Sequence, residues 1–337
     1  MTSKLRKPAL LLVLILAASA CSLGSSDGDT VRVYSGRHYG EEAAFERFAE
    51  ETGISVEFLF GSDAELRERI LAEGENTQAD VYMTVDAGNL YLAADQDVFR
   101  PVDSDLLADA VPFSLRDPDS LWFGLGKRIR TLVYHPDQVD PDELTTYEDL
   151  TDERWEGRLC MRDSSNVYTQ SLVASLIAHH GYAGAVDILR GWVDNNVEIL
   201  GSDILVLQTI AEGGCDVGIT NHYYLARLLE EDPDFPVQLK FAAQDSRGVH
   251  VNVSGAGVTR HADHPELGRR LLEWLATEGQ NDFVDANHEY PANPDVPPEP
   301  LIAEQFGTEF KQDELGAAEY GSLNSDAIRA MDEAGYE

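Results

Sequence analysis

The chain has 337 residues, of which 43% are hydrophobic, and this suffices for one large domain or two lobes with a sizeable core. Its 61 acidic residues outnumber its 25 basic residues and give a formal net charge of −36 at pH 7. Because phosphate binding requires a basic surface, this charge argues against nucleic acid as a partner.

The acidic, lysine-poor composition predicts a surface adapted to a saline medium. After residue 21 the lysines are Lys127, Lys240 and Lys311, and the net charge of that part is −39. Salt screens the repulsion between such charges, so the composition is typical of a halophilic protein. The acidic stretches 117–119 and 137–142 lack the glycine and closing glutamate of an EF-hand loop, so no calcium site is predicted.

Residues 1–21 have the pattern of an export signal. Three basic residues precede an apolar run at 8–18, and small residues lead into Cys21. A cysteine at this place resembles a bacterial lipobox, so we predict that Cys21 is lipidated; the alternative is an ordinary secretory signal cut nearby. Residues 22–29 are rich in Ser, Gly and Asp and predict a flexible tether. No later stretch is expected to span a bilayer.

The first part of the mature chain alternates between strand and helix patterns. Apolar spacing predicts strands at 30–34, 54–60 and 79–85 and helices at 41–52 and 63–73. A strand, a helix and a strand within about thirty residues form a βαβ unit. This region is therefore predicted to be a parallel α/β lobe.

The later elements predict a second lobe and a return to the first. Strands are predicted at 122–133, 158–161, 215–220, 235–241 and 249–258, and helices at 167–180, 182–195, 203–212, 225–230, 265–276, 281–287 and 325–333. Five prolines in residues 291–300 indicate an extended connector, and Ser325 is a plausible cap of the last helix.

Cys160 and Cys215 remain once Cys21 is assigned to lipid. In an oxidising compartment the simplest expectation is one disulfide, which closes a loop of roughly 55 residues and contributes on the order of 4 kcal/mol in the chain-entropy model. Two buried free thiols are the alternative. Zinc is disfavoured because neither cysteine has a second ligand at C-x-x-C spacing.

Tyrosines stand at three similar places in the chain. Tyr39, Tyr168 and the pair Tyr223 and Tyr224 each follow a strand and lie just before or inside the first turn of a predicted helix. Helix N-termini favour negative charge, and a phenol with a pKa near 10 loses its proton only to a strong Lewis acid such as ferric iron. The alternative is that these rings only pack, since adjacent residues on a helix point apart.

Three motifs carry a family resemblance: YSGRHY at 34–39, SSNVYTQS at 164–171 and NHYY at 221–224. In this order they resemble the bacterial periplasmic ferric-iron-binding proteins of ABC importers, in particular the branch that uses several tyrosines. The resemblance implies Fe³⁺ ligands at four positions, a variable contribution from a histidine, and two arginines beside the site. Those positions are Tyr39, Tyr168, Tyr223 and Tyr224 for the tyrosines, His38 for the histidine, and Arg128 and Arg227 for the arginines. His222 departs from the small polar residue that relatives often have, and it need not be a ligand.

The resemblance also implies a fold and partners. The expected fold is the α/β, two-lobed periplasmic binding protein of type II, with hinge crossovers between lobes. Residues 30–127 and 250–300 form lobe 1, and residues 128–249 and 301–337 form lobe 2. The expected protein is a lipid-anchored monomer, without catalytic residues, that delivers Fe³⁺ to an ABC permease and its ATPase. Four phenolates around Fe³⁺ leave one negative charge for an arginine to offset, so no bound carbonate is required.

Two other functions fit the same pattern. The fold could carry another solute, such as an oxyanion, with the tyrosines as neutral donors, or a polyamine. A surface metalloenzyme would need an open coordination position and a general base nearby. The sequence at 254–257 is not a G-x-S-x-G nucleophile elbow, and 124–126 lacks the third glycine of a dinucleotide-binding motif.

Overall fold

The computed structural model describes residues 30–37 and 42–337. The signal, the tether and Cys21, all predicted within 1–29, lie outside the described residues. So do His38 and Tyr39.

Ten strands within the described ranges form one hydrogen-bonded sheet. Its main path runs in the order β2-β1-β3-β9-β4-β7-β5-β6, and β8 and β10 also pair with β4. The strands are β1 Thr30–Ser35, β2 Ser55–Phe60, β3 Val81–Thr84, β4 Phe123–Tyr134, β5 Leu159–Arg162, β6 Glu198–Leu200, β7 Val217–Asn221, β8 Gln238–Lys240, β9 Val251–Val258 and β10 Tyr290–Pro291.

Helices cover the sheet and bury its apolar side chains in the core. They are α1 Glu42–Thr52, α2 Asp63–Glu73, α3 Ala87–Asp95, α4 Asp105–Ala110, α5 Val167–Asp194, α6 Asp203–Ala211, α7 His222–Glu231, α8 Pro265–Ala276, α9 Gln280–Asp285, α10 Pro300–Phe306, α11 Ala317–Gly321 and α12 Asn324–Ala334. Short 3₁₀ turns occupy Gly74–Asn76, Phe113–Leu115, Pro141–Glu143, Glu148–Thr151 and Glu153–Trp155.

Strand β4 connects the two halves of the mixed, two-lobed α/β fold. Its first part, Phe123 to Ile129, pairs antiparallel with β9. From Arg130 onwards it pairs antiparallel with β7, and its end also pairs with β8. One continuous strand thus exchanges its neighbours between Ile129 and Arg130, close to the place where the sequence predicts a crossing between lobes.

The predicted parallel unit near the N-terminus is present, but it is not the whole of that half of the sheet. Strand β1 pairs in parallel with β2 and with β3. Strand β9 then lies between β3 and β4 and is antiparallel to both. Apolar alternation predicts that a segment is a strand, but it carries no information on strand direction, so a purely parallel lobe was the wrong expectation.

Helix α5 joins the two helices predicted at 167–180 and 182–195. Gly181 lies between them with a φ of 71° and a ψ of 166°, so the helical geometry is interrupted there. Only glycine adopts such a conformation at little cost. By length and composition alone α5 could cross a membrane, contrary to the expectation that no such stretch exists, but half of its apolar window is buried inside the protein. We interpret α5 as a core helix.

Several short elements escaped the sequence prediction. Helices α3, α4, α10 and α11 and strand β6 are three to nine residues long, too short to show a clear period. The last helix begins at Asn324, so Ser325 is not its cap. Helix α12 packs on the body of the protein, where it contacts α5.

A disulfide joins Cys160 and Cys215. Cys160 lies in β5, and Cys215 precedes β7 by two residues. Because β5 and β7 are neighbouring parallel strands, the bond ties together two segments that are 55 residues apart in sequence. The expected pairing is therefore present in the structure.

Candidate metal site

Tyr168 is placed by the first turn of α5. The side chain of Asn166 caps this helix by accepting the backbone N–H groups of Tyr168 at 3.0 Å and Thr169 at 3.4 Å. The Tyr168 side chain is buried. Its phenol oxygen accepts a hydrogen bond of 2.6 Å from Nη1 of Arg128, which comes from β4.

Tyr223 and Tyr224 lie in the first turn of α7, which begins at His222 directly after β7. The helix thus starts three residues before the predicted start at 225. Asn221 occupies the cap position but makes no side-chain cap hydrogen bond; its Nδ2 donates to the phenol oxygen of Tyr223 at 3.1 Å. Tyr223 is buried and Tyr224 is partly buried, and their ring centroids are only 4.4 Å apart.

The three described tyrosines of the predicted site form one cluster. The ring centroids of Tyr168 and Tyr223 are 6.4 Å apart in an edge-to-face arrangement. Tyr224 extends the cluster on the other side of Tyr223. Two separate helix N-termini therefore bring their phenols together, which the spacing in sequence could not establish.

Two arginines face these rings. The guanidinium carbon of Arg128 lies 5.5 Å from the ring centroid of Tyr168 and 5.3 Å from that of Tyr223. The guanidinium carbon of Arg227 lies 5.4 Å from the centroid of Tyr223 and 5.5 Å from that of Tyr224. Positive charge at this distance attracts aromatic rings and stabilises phenolates.

A buried carboxylate behind the arginines was missed by the sequence analysis. Glu289 is fully buried between α9 and β10, and its Oε1 lies 2.6 Å from Nη1 of Arg37 and 2.8 Å from Nη2 of Arg128. Burial alone raises the pKa of this carboxyl, but the two arginines and hydrogen bonds from Asn287 and Ser254 lower the pKa to about 2. The group is therefore ionised at neutral pH. No sequence motif signals it, since Arg37 and Glu289 are 252 positions apart.

His222 is part of the packing beneath the cluster. Its Nδ1 accepts the backbone N–H of Ile129 at 3.1 Å, and its ring lies 5.0 Å from that of Tyr290. Burial lowers the pKa of its imidazole to about 4, so the ring is neutral at pH 7. With Nδ1 engaged by the backbone, His222 stabilises the junction of β4 and α7.

The described residues contain no group of three or more His, Cys, Asp or Glu side chains placed to hold a metal ion. Within that part of the chain, the oxygen donors at the predicted site are the phenols of the tyrosine cluster. This arrangement suits a hard, highly charged cation that can displace phenol protons.

Comparison with known proteins identifies the class. The sequence profile of the family described as bacterial extracellular solute-binding protein matches residues 43–310. The chain belongs to this family of extracytoplasmic solute-binding proteins.

Individual relatives are more specific. The chain is 40% identical over 316 residues to iron uptake protein A1 of Synechocystis sp.. The alignment covers 91% of this chain and 87% of that protein. The solved structure of a Trichodesmium protein, IdiA or FutA, in complex with iron and citrate ligands superimposes with a TM-score of 0.87 at 40% identity and covers 91% of this chain and 100% of the other. The ferric binding protein from Campylobacter jejuni superimposes with a TM-score of 0.84 at 29% identity. That superposition covers 91% of this chain and 100% of the other.

Proposed function

We propose that this chain captures ferric iron outside the cytoplasmic membrane and delivers it to an ABC permease and its ATPase. The ligands are the phenolates of Tyr39, Tyr168, Tyr223 and Tyr224, with His38 as an additional neutral donor. The observation that carries the proposal is the cluster of three phenols from two helix N-termini with arginines against their rings.

The charges support iron in its ferric state. Four phenolates around Fe³⁺ give a complex with one net negative charge, and the guanidiniums of Arg128 and Arg227 lie close enough to offset it. Phenols at helix N-termini gain further support for the anionic form, about 0.3 to 1 kcal/mol for each terminus. A divalent ion would leave two negative charges and displace phenol protons less readily.

The relatives support the same cargo. One is described as an iron uptake protein, a second is solved in complex with iron and citrate ligands, and a third is a ferric binding protein. These proteins are binding proteins, and we infer that this chain likewise performs no chemistry on the metal.

We infer that iron binds between two lobes. Lobe 1 comprises 30–127 and 250–300 and contributes His38 and Tyr39, and lobe 2 comprises 128–249 and 301–337 and contributes the described tyrosines. The exchange of strand partners in β4 at Ile129 and Arg130 supports a boundary there. Closure of lobe 1 over iron held by lobe 2 would enclose the metal.

The cellular setting is also a proposal. Residues 1–21 act as a signal, Cys21 carries the lipid that anchors a monomeric protein, and the acidic surface adapts it to salt. The family is extracellular, which agrees with an exported protein.

Titration of the apo protein with ferric citrate tests the proposal. Tyrosinate ligands give a phenolate-to-iron absorption band in the visible range, and the double variant Tyr223→Phe with Tyr224→Phe should lose it. Tyr182→Phe is the matched control, because this partly buried phenol donates to Glu333 at 3.1 Å and is no predicted ligand. A protein without a visible band, or a band that survives in the double variant, contradicts ferric binding by these tyrosines.

A further inference from the structure

Glu289 is the common anchor of the arginines around the tyrosine cluster. Its Oε1 accepts from Arg37 at 2.6 Å, from Arg128 at 2.8 Å and from Nδ2 of Asn287. Its Oε2 accepts from the hydroxyl of Ser254 at 2.8 Å. The carboxylate is fully buried and has a partner on each oxygen.

Three arms of this network, through Arg128, Asn287 and Arg37, lead towards predicted iron ligands. Arg128 contacts Glu289 through Nη2 and donates to the phenol of Tyr168 through Nη1. Asn287 connects Glu289 to Arg227, because its Nδ2 donates to Glu289 and its Oδ1 accepts a hydrogen bond from Arg227. Arg227 in turn lies against the rings of Tyr223 and Tyr224.

The third arm runs through Arg37. Arg37 is fully buried, and besides Glu289 it donates to the carbonyl of Phe283 at 2.6 Å. In the sequence it stands two residues before Tyr39. One carboxylate thus links the segment that carries Tyr39 to the arginine that contacts Tyr168.

We propose that Glu289 is a positioning residue for the iron site: it holds the surrounding arginines against the tyrosines and so sets how tightly ferric iron is bound. This inference rests on the proposed function and deepens it. Glu289 itself makes no hydrogen bond or ion pair with the described tyrosines, so its effect passes through the guanidiniums.

Position and charge make opposite predictions for Glu289→Gln. The substitution removes one negative charge, so if charge alone mattered, an iron complex with one net negative charge would bind more tightly. If Glu289 positions the arginines, Arg128 loses its fixed direction towards Tyr168, and binding weakens. Loss of such an outer partner commonly weakens metal binding by about 10- to 100-fold.

The experiment measures two properties of full-length wild type and Glu289→Gln: the affinity for Fe³⁺ in competition with citrate, and the wavelength of the phenolate-to-iron band. We expect an affinity about tenfold or more weaker and a displaced band, since the hydrogen bond to Tyr168 changes the electron density on its oxygen. Equal or tighter binding with an unmoved band overturns the role of Glu289. A wild-type protein that binds no Fe³⁺ overturns the proposed function and this inference with it.

Two further variants separate positioning from general stability. Glu289→Asp keeps the charge and withdraws the carboxylate by one methylene, so it should weaken Fe³⁺ binding and move the band. This test applies even if Glu289→Gln does not fold. Unchanged affinity and an unmoved band in Glu289→Asp overturn the proposal. Glu148→Gln is the control, since this carboxylate pairs with Arg247 at 2.7 Å and His180 at 2.6 Å. It should lower the melting temperature and leave the band in place. An equal band shift in the control would contradict a specific role for Glu289.

Discussion

The guanidinium of Arg128 donates a hydrogen bond of 2.6 Å to the phenol oxygen of Tyr168. The donor comes from the strand that passes between the halves of the sheet, and the acceptor comes from the first turn of α5. Since a guanidinium keeps its charge at all relevant pH values, this contact favours the phenolate over the phenol. The contact therefore supports the proposed role of Tyr168 as an iron ligand.

Substitution of Arg128 by lysine should weaken Fe³⁺ binding by about tenfold, the lower end of the effect of an outer partner. A lysine keeps the charge but lacks the planar fork that contacts Tyr168 and Glu289 at once. Competition with citrate measures the change. Arg116→Lys is the control, because this arginine lies 5.9 Å from the ring of Phe113, which is no predicted ligand. Equal affinity in wild type and Arg128→Lys would show that only the charge matters.

The ligands should differ in importance. Tyr223→Phe or Tyr224→Phe each removes an anionic oxygen from the proposed shell and should abolish tight binding. His38→Ala removes only a neutral donor and should weaken binding without abolishing it. Titration of the three single variants with ferric citrate compares them, and equal losses in all three would refute the ranking.

Loss of the disulfide should destabilise the fold and spare the iron site. Cys160→Ser with Cys215→Ser frees a loop with a sequence separation of 55 residues, so the unfolding free energy should fall by up to about 4 kcal/mol. Thermal unfolding of the apo variant measures this loss, and iron stoichiometry below the melting temperature should stay at the wild-type value. An unchanged melting temperature would contradict the predicted loss of stability. A lower iron stoichiometry in the folded variant would contradict the prediction that the iron site is spared.

Acid should destabilise the apo protein through His250. Burial, with the positive charges of Arg130, Arg247 and His179, lowers the pKa of this imidazole to about 3. The unfolded chain, with an ordinary pKa of about 6.5, then binds more protons than the folded chain between these values. The contribution of His250 to the free energy of unfolding is therefore fully present above pH 6.5 and is lost as the pH falls towards 3.

The variant His250→Gln isolates that contribution from other buried groups. Burial raises the pKa of Asp86 to about 6, and this opposes the effect of His250 in the same range of pH. Chemical unfolding at several pH values should therefore show a smaller loss on acidification in His250→Gln than in wild type. Parallel curves for the two proteins would rule out a buried neutral imidazole.

Salt should stabilise the apo protein. At a net charge of −36, repulsion between surface carboxylates favours the unfolded chain. Salt weakens this repulsion, because the Debye screening length falls from about 10 Å at 0.1 M salt to about 3 Å at 1 M. The melting temperature should rise with sodium chloride. A variant with three exposed acids reversed, Glu50→Lys, Asp109→Lys and Glu231→Lys, should respond less. A melting temperature independent of salt would refute the halophilic interpretation.

Local pattern predicted the elements that carry the site. The alternation of 30–73 indicated β1, α1, β2 and α2 because each repeats its apolar side chains with its own period. The helix predicted at 167–180 is the first part of α5, and Asn166 caps it and so places Tyr168 in its first turn. Apolar periods and helix caps can be predicted because they depend on a few neighbouring residues.

Long-range features could not be predicted in the same way. The antiparallel insertion of β9 between β3 and β4 joins strands from distant parts of the chain. The anchoring of Arg37 by Glu289 spans 252 positions and follows no motif. Both result from tertiary packing, which apolar period does not encode.

A crystal structure of the iron-loaded protein, with anomalous scattering recorded at the iron absorption edge, tests the central claim most directly. We predict one iron peak bonded to the phenol oxygens of Tyr39, Tyr168, Tyr223 and Tyr224, with Arg128 still in contact with Tyr168. An iron peak held by carboxylates elsewhere, or phenols of this cluster without contact to the metal, would contradict the account.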